Sequence, residues 1–271
     1  MSRIYEAVRK YIDDVTVELR HGGREQESPG QAEGVVVLAG NGTAAGKRSS
    51  ATAAPPPVER LRTKRPFDLA GLPVETVDAE RLRRVPLVCD PDGPGADRFR
   101  LLRLRLLESL GQKEQRRILV TSALPQEGKS TVAVNVAAAL AEGGKRAVLL
   151  VDADFHHAAA SAQLGMLGRC GLAECLQAGL KPEAAIVRIE PLGCYIMPAG
   201  ETGGSPTELA QSNAVPALLE VLAAQFDWVV IDSPPVGVLT DPLAIRKATE
   251  GTLLVVNNSR VVPARLFGTR A

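Results

Sequence analysis

Three short stretches of this chain bring together residue types that can handle a polyphosphate. The first reads Ala123-Leu124-Pro125-Gln126-Glu127-Gly128-Lys129-Ser130-Thr131. It follows an apolar run and opens a segment with helical periodicity. Main-chain N–H groups of such a loop, and of the helix N-terminus behind it, converge on an anion. Gly128 lets the backbone come close. Lys129 brings a point charge to the outer phosphates, and Ser130 offers a hydroxyl to Mg²⁺. Gln126, Glu127, Gly128, Lys129, Ser130 and Thr131 are therefore the candidate phosphate contacts. The first loop position is Ala123, where the strict pattern has glycine.

The other two stretches are apolar runs tipped with acid. Leu149-Leu150-Val151 ends in Asp152-Ala153-Asp154, and Val229-Val230-Ile231 ends in Asp232-Ser233-Pro234-Pro235. In a parallel sheet the C-terminal ends of the strands face the ligand crevice. Asp232 is the candidate to hold Mg²⁺ directly or through water, with Ser130 and Asp152 as the other metal candidates. Lys129, Asp152 and Asp154 form the catalytic set, one carboxylate taking the proton of an incoming hydroxyl. A solvated turn is the competing reading for Asp152 and Asp154. A second glycine–lysine pair, Gly46-Lys47, is rejected: Arg48 follows it with no hydroxyl, and ATAAPPP cannot continue as a helix.

These residues need strands and helices to position them, and the flanking text supplies both. Residues 116–123, 146–154, 194–197, 227–235 and 252–258 read as strands. Lys129–Ala141 reads as a helix with Val132, Val136 and Leu140 on one face and Gly143-Gly144 as its stop. Asp97–Leu110 reads as an amphipathic helix with Phe99, Leu102, Leu106 and Leu110 in one stripe. Helical text also covers 207–224 and 241–248, and VDAERLRRVPLVCD suggests a short helix and then a short strand. The strands are continuous apolar runs, as parallel strands covered on both faces are. The expected fold is α/β, a doubly wound, mainly parallel sheet over residues 76–271. Ahead of it, residues 1–20 read as an amphipathic helix (Ile4, Val8, Tyr11, Val15). It either packs on its own domain or docks on a partner. Residues 21–75, rich in Gly, Pro, Ala and Ser, read as a disordered linker. Within that linker, Val35–Leu38 is a short strand or a sticky patch.

Composition removes several function classes. Lys and Arg number 32 against 31 Asp and Glu, and aromatics make up 3%. A nucleic-acid-coating protein shows a basic excess and stacking aromatics, so none is expected here. No apolar run reaches the ~18 residues of a membrane-spanning helix, and the N-terminus lacks a signal-peptide core. The four cysteines contain no C-x-x-C pair. A cytoplasmic protein is expected.

Taken together, EGKST, VLLVDAD and FDWVVIDSPPVGVLTDP resemble the cytoplasmic BY-kinases, the bacterial tyrosine kinases of CpsD/CapB type, within the MinD/ParA-like P-loop ATPases. The resemblance spans roughly residues 85–258. It implies an ATP–Mg²⁺-dependent protein-tyrosine autokinase that governs capsule or exopolysaccharide synthesis and export. It also implies activation by a membrane-spanning polysaccharide co-polymerase adaptor, which recruits the chain to the inner face of the membrane. Family members oligomerise through E-x-x-R-x-x-R; the matching residues are Asp97, Arg100 and Arg103. Ser205-Pro-Thr-Glu-Leu209 resembles the family's N-P-x-E-L segment.

Three departures stand out. The family's C-terminal tyrosine cluster is absent, leaving Tyr5, Tyr11 and Tyr195, of which Tyr5 and Tyr11 are the expected acceptors. His156 stands where the family carries Arg, in a structural or phosphate-side role. The sequence stops 13 residues after TLLVVNN, so the family's C-terminal helix is expected to be missing. A MinD/ParA-like regulatory ATPase is the rival within the fold. It commonly carries a second lysine early in the loop, and Leu124-Pro125-Gln126-Glu127 has none. A non-catalytic, nucleotide-gated adaptor is the rival of a different class.

Overall fold

A computed structural model describes residues 35–40 as backbone, and residues 67–110, 113 and 115–257 in full. The expected N-terminal helix, Tyr5, Tyr11 and residues 258–271 lie outside the described residues. In chain order the elements begin with β1 (Val35–Gly40), β2 (Val74–Thr76), α1 (Ala79–Leu82), α2 (Pro86–Cys89) and α3 (Pro94–Leu110). Then come β3 (Arg117–Ser122), α4 (Lys129–Ala141), β4 (Val148–Asp152), α5 (Ala159–Gln163), α6 (Leu172–Gln177) and α7 (Pro182–Ala185). The chain continues through β5 (Val187–Glu190), β6 (Cys194–Met197), α8 (Pro206–Ala210), α9 (Ala214–Gln225), β7 (Trp228–Asp232), α10 (Asp241–Arg246) and β8 (Gly251–Val256).

One eight-stranded sheet runs in the order β1-β8-β3-β7-β4-β6-β5-β2. The β1–β8 and β5–β6 pairings are antiparallel; every other pairing is parallel. Strands β3, β4, β7 and β8 are buried at every residue. Their side chains divide between two cores. Ile118, Val120, Leu150, Val230 and Leu253 meet α3 and α4 on one face. Leu119, Leu149, Val151, Val229 and Ile231 meet α6, α9 and α10 on the other. This is the doubly wound arrangement that the apolar runs imply. Helix α4 lies so deep that its alanines admit the sheet closely, and Ala133, Ala137 and Ala141 are fully buried. It stops where Glu142, Gly143 and Gly144 all take positive φ.

Several expectations are corrected. Residues 86–89 form a helix, α2, in place of the expected short strand. Pro86 starts it, its fixed φ suiting a first helical turn, and Val85 is buried against the α3–α4 layer. Helical text over 207–224 is two helices, broken at Gln211–Asn213. Strand β5 was not expected, because four residues alternating Val-Arg-Ile-Glu carry little signal.

The stretch taken as linker also contributes to the fold. Strand β1 lies in the sheet, settling the Val35–Leu38 alternative in favour of a strand. Residues 67–75 are ordered as well. Gln225 clamps Phe67, accepting its N–H (3.2 Å) and donating to its carbonyl (2.7 Å). Phe67 meets Phe226 edge to face, and Leu72 is buried. Gly71 and Pro73 give this segment its linker-like composition although it packs. Among the described residues no helix is long and apolar enough to cross a membrane.

Candidate active site

The loop between β3 and α4 turns at two left-handed residues, Gln126 (φ 62°) and Gly128 (φ 88°). A Cβ at Gly128 would meet no atom within 4 Å. The glycine is therefore required by its backbone angle, not by crowding. Lys129 begins α4 and is 9% exposed. Its ammonium donates to Asp154 Oδ2 at 2.8 Å and to Ser130 Oγ at 3.1 Å, and lies 4.0 Å from Asp232 Oδ1. The two acid-tipped strands are neighbours, with Asp152 and Asp232 in register across the β4–β7 pair. Strand pairing thus delivers three buried carboxylates to one lysine from sequence positions up to 80 residues apart.

Each carboxylate has its own partners. Asp152 is fully engaged: Oδ2 accepts the Ser161 N–H (2.8 Å) and hydroxyl (2.7 Å), and Oδ1 accepts the Asp154 N–H (3.1 Å). Burial raises its pKa, and the Ser161 donors hold it back. Asp154 pairs with Lys129 through one oxygen and accepts the His156 and His157 N–H groups with the other. Asp232 is fully buried, and neither of its oxygens has a hydrogen-bond partner. Burial pushes its carboxyl up to about 8, with Lys129 opposing and Asp152 adding to the rise. The Ser130 hydroxyl favours the charged form without reaching hydrogen-bonding geometry. Burial also pulls the Lys129 ammonium down, but Asp232 and Asp154 outweigh it, leaving the lysine above its ordinary value.

Mg²⁺ binds through one or two carboxylates, with phosphate and water supplying the rest. An orphaned buried carboxylate, Asp232, beside the Ser130 hydroxyl fits that chemistry. Among the described residues no cluster of three or more His, Cys, Asp or Glu forms a self-sufficient metal cage.

The structure also assigns partners that spacing did not suggest. Glu127 turns its side chain away from the crevice. Its carboxylate accepts the Leu124 N–H (2.8 Å) and the Asn257 N–H (3.3 Å). Asp241, fully buried at the start of α10, faces His156 Nε2 at 3.1 Å. Nothing short-range in the sequence marks Ser161, nine residues beyond Asp152, or Asp241. The helix set meets partners within the molecule: Arg100 bonds Asp97 at 2.9 Å, and Arg103 pairs with Glu142. Tyr195 lies in β6, 8% exposed and edge-on to Phe226.

Residues 126–259 match the protein family described as AAA domain. The chain is 35% identical over 195 residues to the succinoglycan biosynthesis transport protein ExoP of Rhizobium meliloti (strain 1021), covering 71% of this chain and 24% of that protein. It is 26% identical over 178 residues to the tyrosine-protein kinase YwqD of Bacillus subtilis (strain 168), covering 66% of this chain and 75% of that one. The solved BceF tyrosine kinase domain superposes with a TM-score of 0.59 at 28% identity, over 72% of this chain and 83% of that one. The P-loop domain is thus similar to bacterial tyrosine-kinase domains. The chain spans about a quarter of the length of ExoP, so this kinase-type domain is the part the two share.

Proposed function

We propose that the chain is an ATP–Mg²⁺-dependent protein-tyrosine kinase that regulates capsule or exopolysaccharide synthesis and export. The observation that carries this reading is the convergence of Lys129, Ser130, Asp154 and an unpartnered Asp232 at one end of the sheet. Lys129 holds Asp154 in the absence of nucleotide. When ATP enters, its β- and γ-phosphates compete for the ammonium, and Asp154 is released as a proton acceptor. Ser130 and Asp232 would hold Mg²⁺, which would supply neutralisation of charge on the phosphates. Asp152 fixes the strand end through Ser161, so Asp154 keeps its place. A tyrosyl oxygen then bonds to the γ-phosphorus as the bridging P–O bond breaks. ADP leaves, and the tyrosyl proton passes to Asp154.

The family resemblance supports a membrane-spanning co-polymerase adaptor as partner, which would bring a cytoplasmic chain to the inner face of the membrane. Self-association through Asp97, Arg100 and Arg103 belongs to the same reading. It requires Arg103 to exchange Glu142 for a neighbour. A second reading, a nucleotide-gated adaptor without turnover, draws on Tyr195, the one tyrosine among the described residues, being buried in a strand.

Phosphotyrosine formation by the full chain with ATP–Mg²⁺ tests the proposal, with Lys129→Ala alongside and the adaptor's cytoplasmic segment added. Lys129-dependent phosphotyrosine is the expected result, with the variant reduced at least 100-fold, as removal of an electrostatic stabiliser does. Tight nucleotide binding without phosphotyrosine in any mixture moves the chain to the adaptor reading.

A further inference from the structure

A carboxylate inside a phosphate-binding loop opposes its ligand unless its charge is spent elsewhere. Glu127 sits in that position and is 6% exposed. Both of its oxygens are committed to main-chain donors. One is Leu124, in the loop's own first turn, at 2.8 Å; the other is Asn257, the first residue beyond β8, at 3.3 Å. Bonds from N–H groups to a carboxylate are stronger than neutral ones, and a buried acid left without them is costly. The loop needs such a hold, since Gln126 is a non-glycine residue in left-handed backbone. Strand β1 ends its pairing at the same place, with Val35 opposite Val256. The phosphate loop and the exit of β8 therefore meet at one side chain, one residue beyond the end of the β1–β8 pairing.

We propose that Glu127 is a positioning residue that couples nucleotide binding to the placement of the Asn257 main chain at the exit of β8. It rests on the nucleotide-site reading above. A loop seated on phosphate holds Glu127 still, and Glu127 then holds the Asn257 N–H. By reciprocity, whatever fixes or displaces the chain at Asn257 strengthens or weakens nucleotide binding by the same factor. Glu127→Gln separates the two bonds. Its single amide oxygen keeps the short Leu124 bond, and its NH₂ group confronts the Asn257 donor. Glu127→Ala removes both.

The test is amide hydrogen exchange at Asn257 in the full chain, with and without fluorescent mant-ADP and Mg²⁺, together with mant-ADP affinity. In the wild type, nucleotide slows exchange at Asn257 by about tenfold, within the usual coupling range. Glu127→Gln loses that dependence, exchanges faster at Asn257 even without nucleotide, and binds mant-ADP about tenfold more weakly while melting within a few degrees of the wild type. A purely structural role for Glu127 would change the melt without abolishing the nucleotide dependence. Unchanged affinity in Glu127→Gln, or nucleotide protection of Asn257 that survives it, overturns the coupling. Lys129→Ala separates the two failures. If it weakens mant-ADP while Glu127→Gln does not, the nucleotide site stands and the coupling falls. No mant-ADP binding by the wild type removes both.

Discussion

Asp232 has one cation near it, the Lys129 ammonium at 4.0 Å, and no hydrogen-bond donor. Its folded carboxyl is pushed up to about 8, against an ordinary value of 3.8. Between those two values the folded protein holds a proton that the unfolded chain has lost. The stability this contributes is complete below about pH 4 and is lost as the pH rises through 8. Asp232→Asn replaces the carboxylate with a neutral group of the same shape. Without nucleotide it should melt at least about 3 °C above the wild type at pH 8.5, near 1 kcal/mol for a chain of this size, and the gap should shrink steadily as the pH falls, closing only near pH 4. The same variant should bind nucleotide with no gain from Mg²⁺. Melting curves that stay parallel from pH 5 to 8.5 would contradict the assignment. At this scale the sequence was informative where chemistry is local. Lys129 and Ser130 are chain neighbours, and Asp154 and Asp232 each cap an apolar run. Ser161, Asp241 and the Asn257 partner of Glu127 were illegible, because each contact joins segments that only the folded chain brings together.

His156, in the loop after β4, joins that loop to helix α10 through Asp241. Asp241 accepts from Gln211 at a longer 3.5 Å, so His156 is its main partner. Removing the imidazole leaves a fully buried carboxylate short of its best donor, which costs about 1–3 kcal/mol. His156→Ala should therefore lower the denaturant midpoint by that equivalent, and His156→Arg should restore most of it, since a guanidinium also donates to a carboxylate. Equal stability of the alanine variant and the wild type would show that the contact holds nothing together. Element identity followed the strength of the pattern. Long apolar runs predicted β3, β4, β7 and β8, and the Phe99-Leu102-Leu106-Leu110 stripe predicted α3, where Leu106 and Leu110 are buried. Among the short segments, Cys194–Met197 is the strand its text implies, whereas others failed for different reasons. Residues 86–89 have strand-like content but a proline that starts a helix, and β2 and β5 are too short to show a period.

On one side the sheet runs through β8, a strand buried along its full length, to β1 at its edge. The outer row of N–H and C=O groups of β8 is paired by β1 through all six residues, from Val35↔Val256 to Gly40↔Gly251. That cover comes from a segment whose composition reads as linker, so the architecture could not be completed from the apolar pattern alone. An uncovered edge strand is a template for another chain, and β8 with its apolar Leu253-Leu254-Val255-Val256 would be a strong one. Deleting residues 1–40 should convert a protein of fixed size into one whose apparent mass rises with concentration in sedimentation velocity. Val37→Pro should act in the same direction in the intact chain. Proline removes a main-chain donor and fits poorly in the middle of an antiparallel pair, and Val37 faces Leu254 at its centre. The single substitution leaves the rest of the N-terminal segment in place, so it separates loss of the strand from loss of the segment's other contacts. A deleted chain that keeps one mass across a hundredfold concentration range, and melts with the full chain, would mean that β1 does not protect this edge. Self-association in both variants would make the edge of β8 the point where the N-terminal segment governs the solution behaviour of the domain.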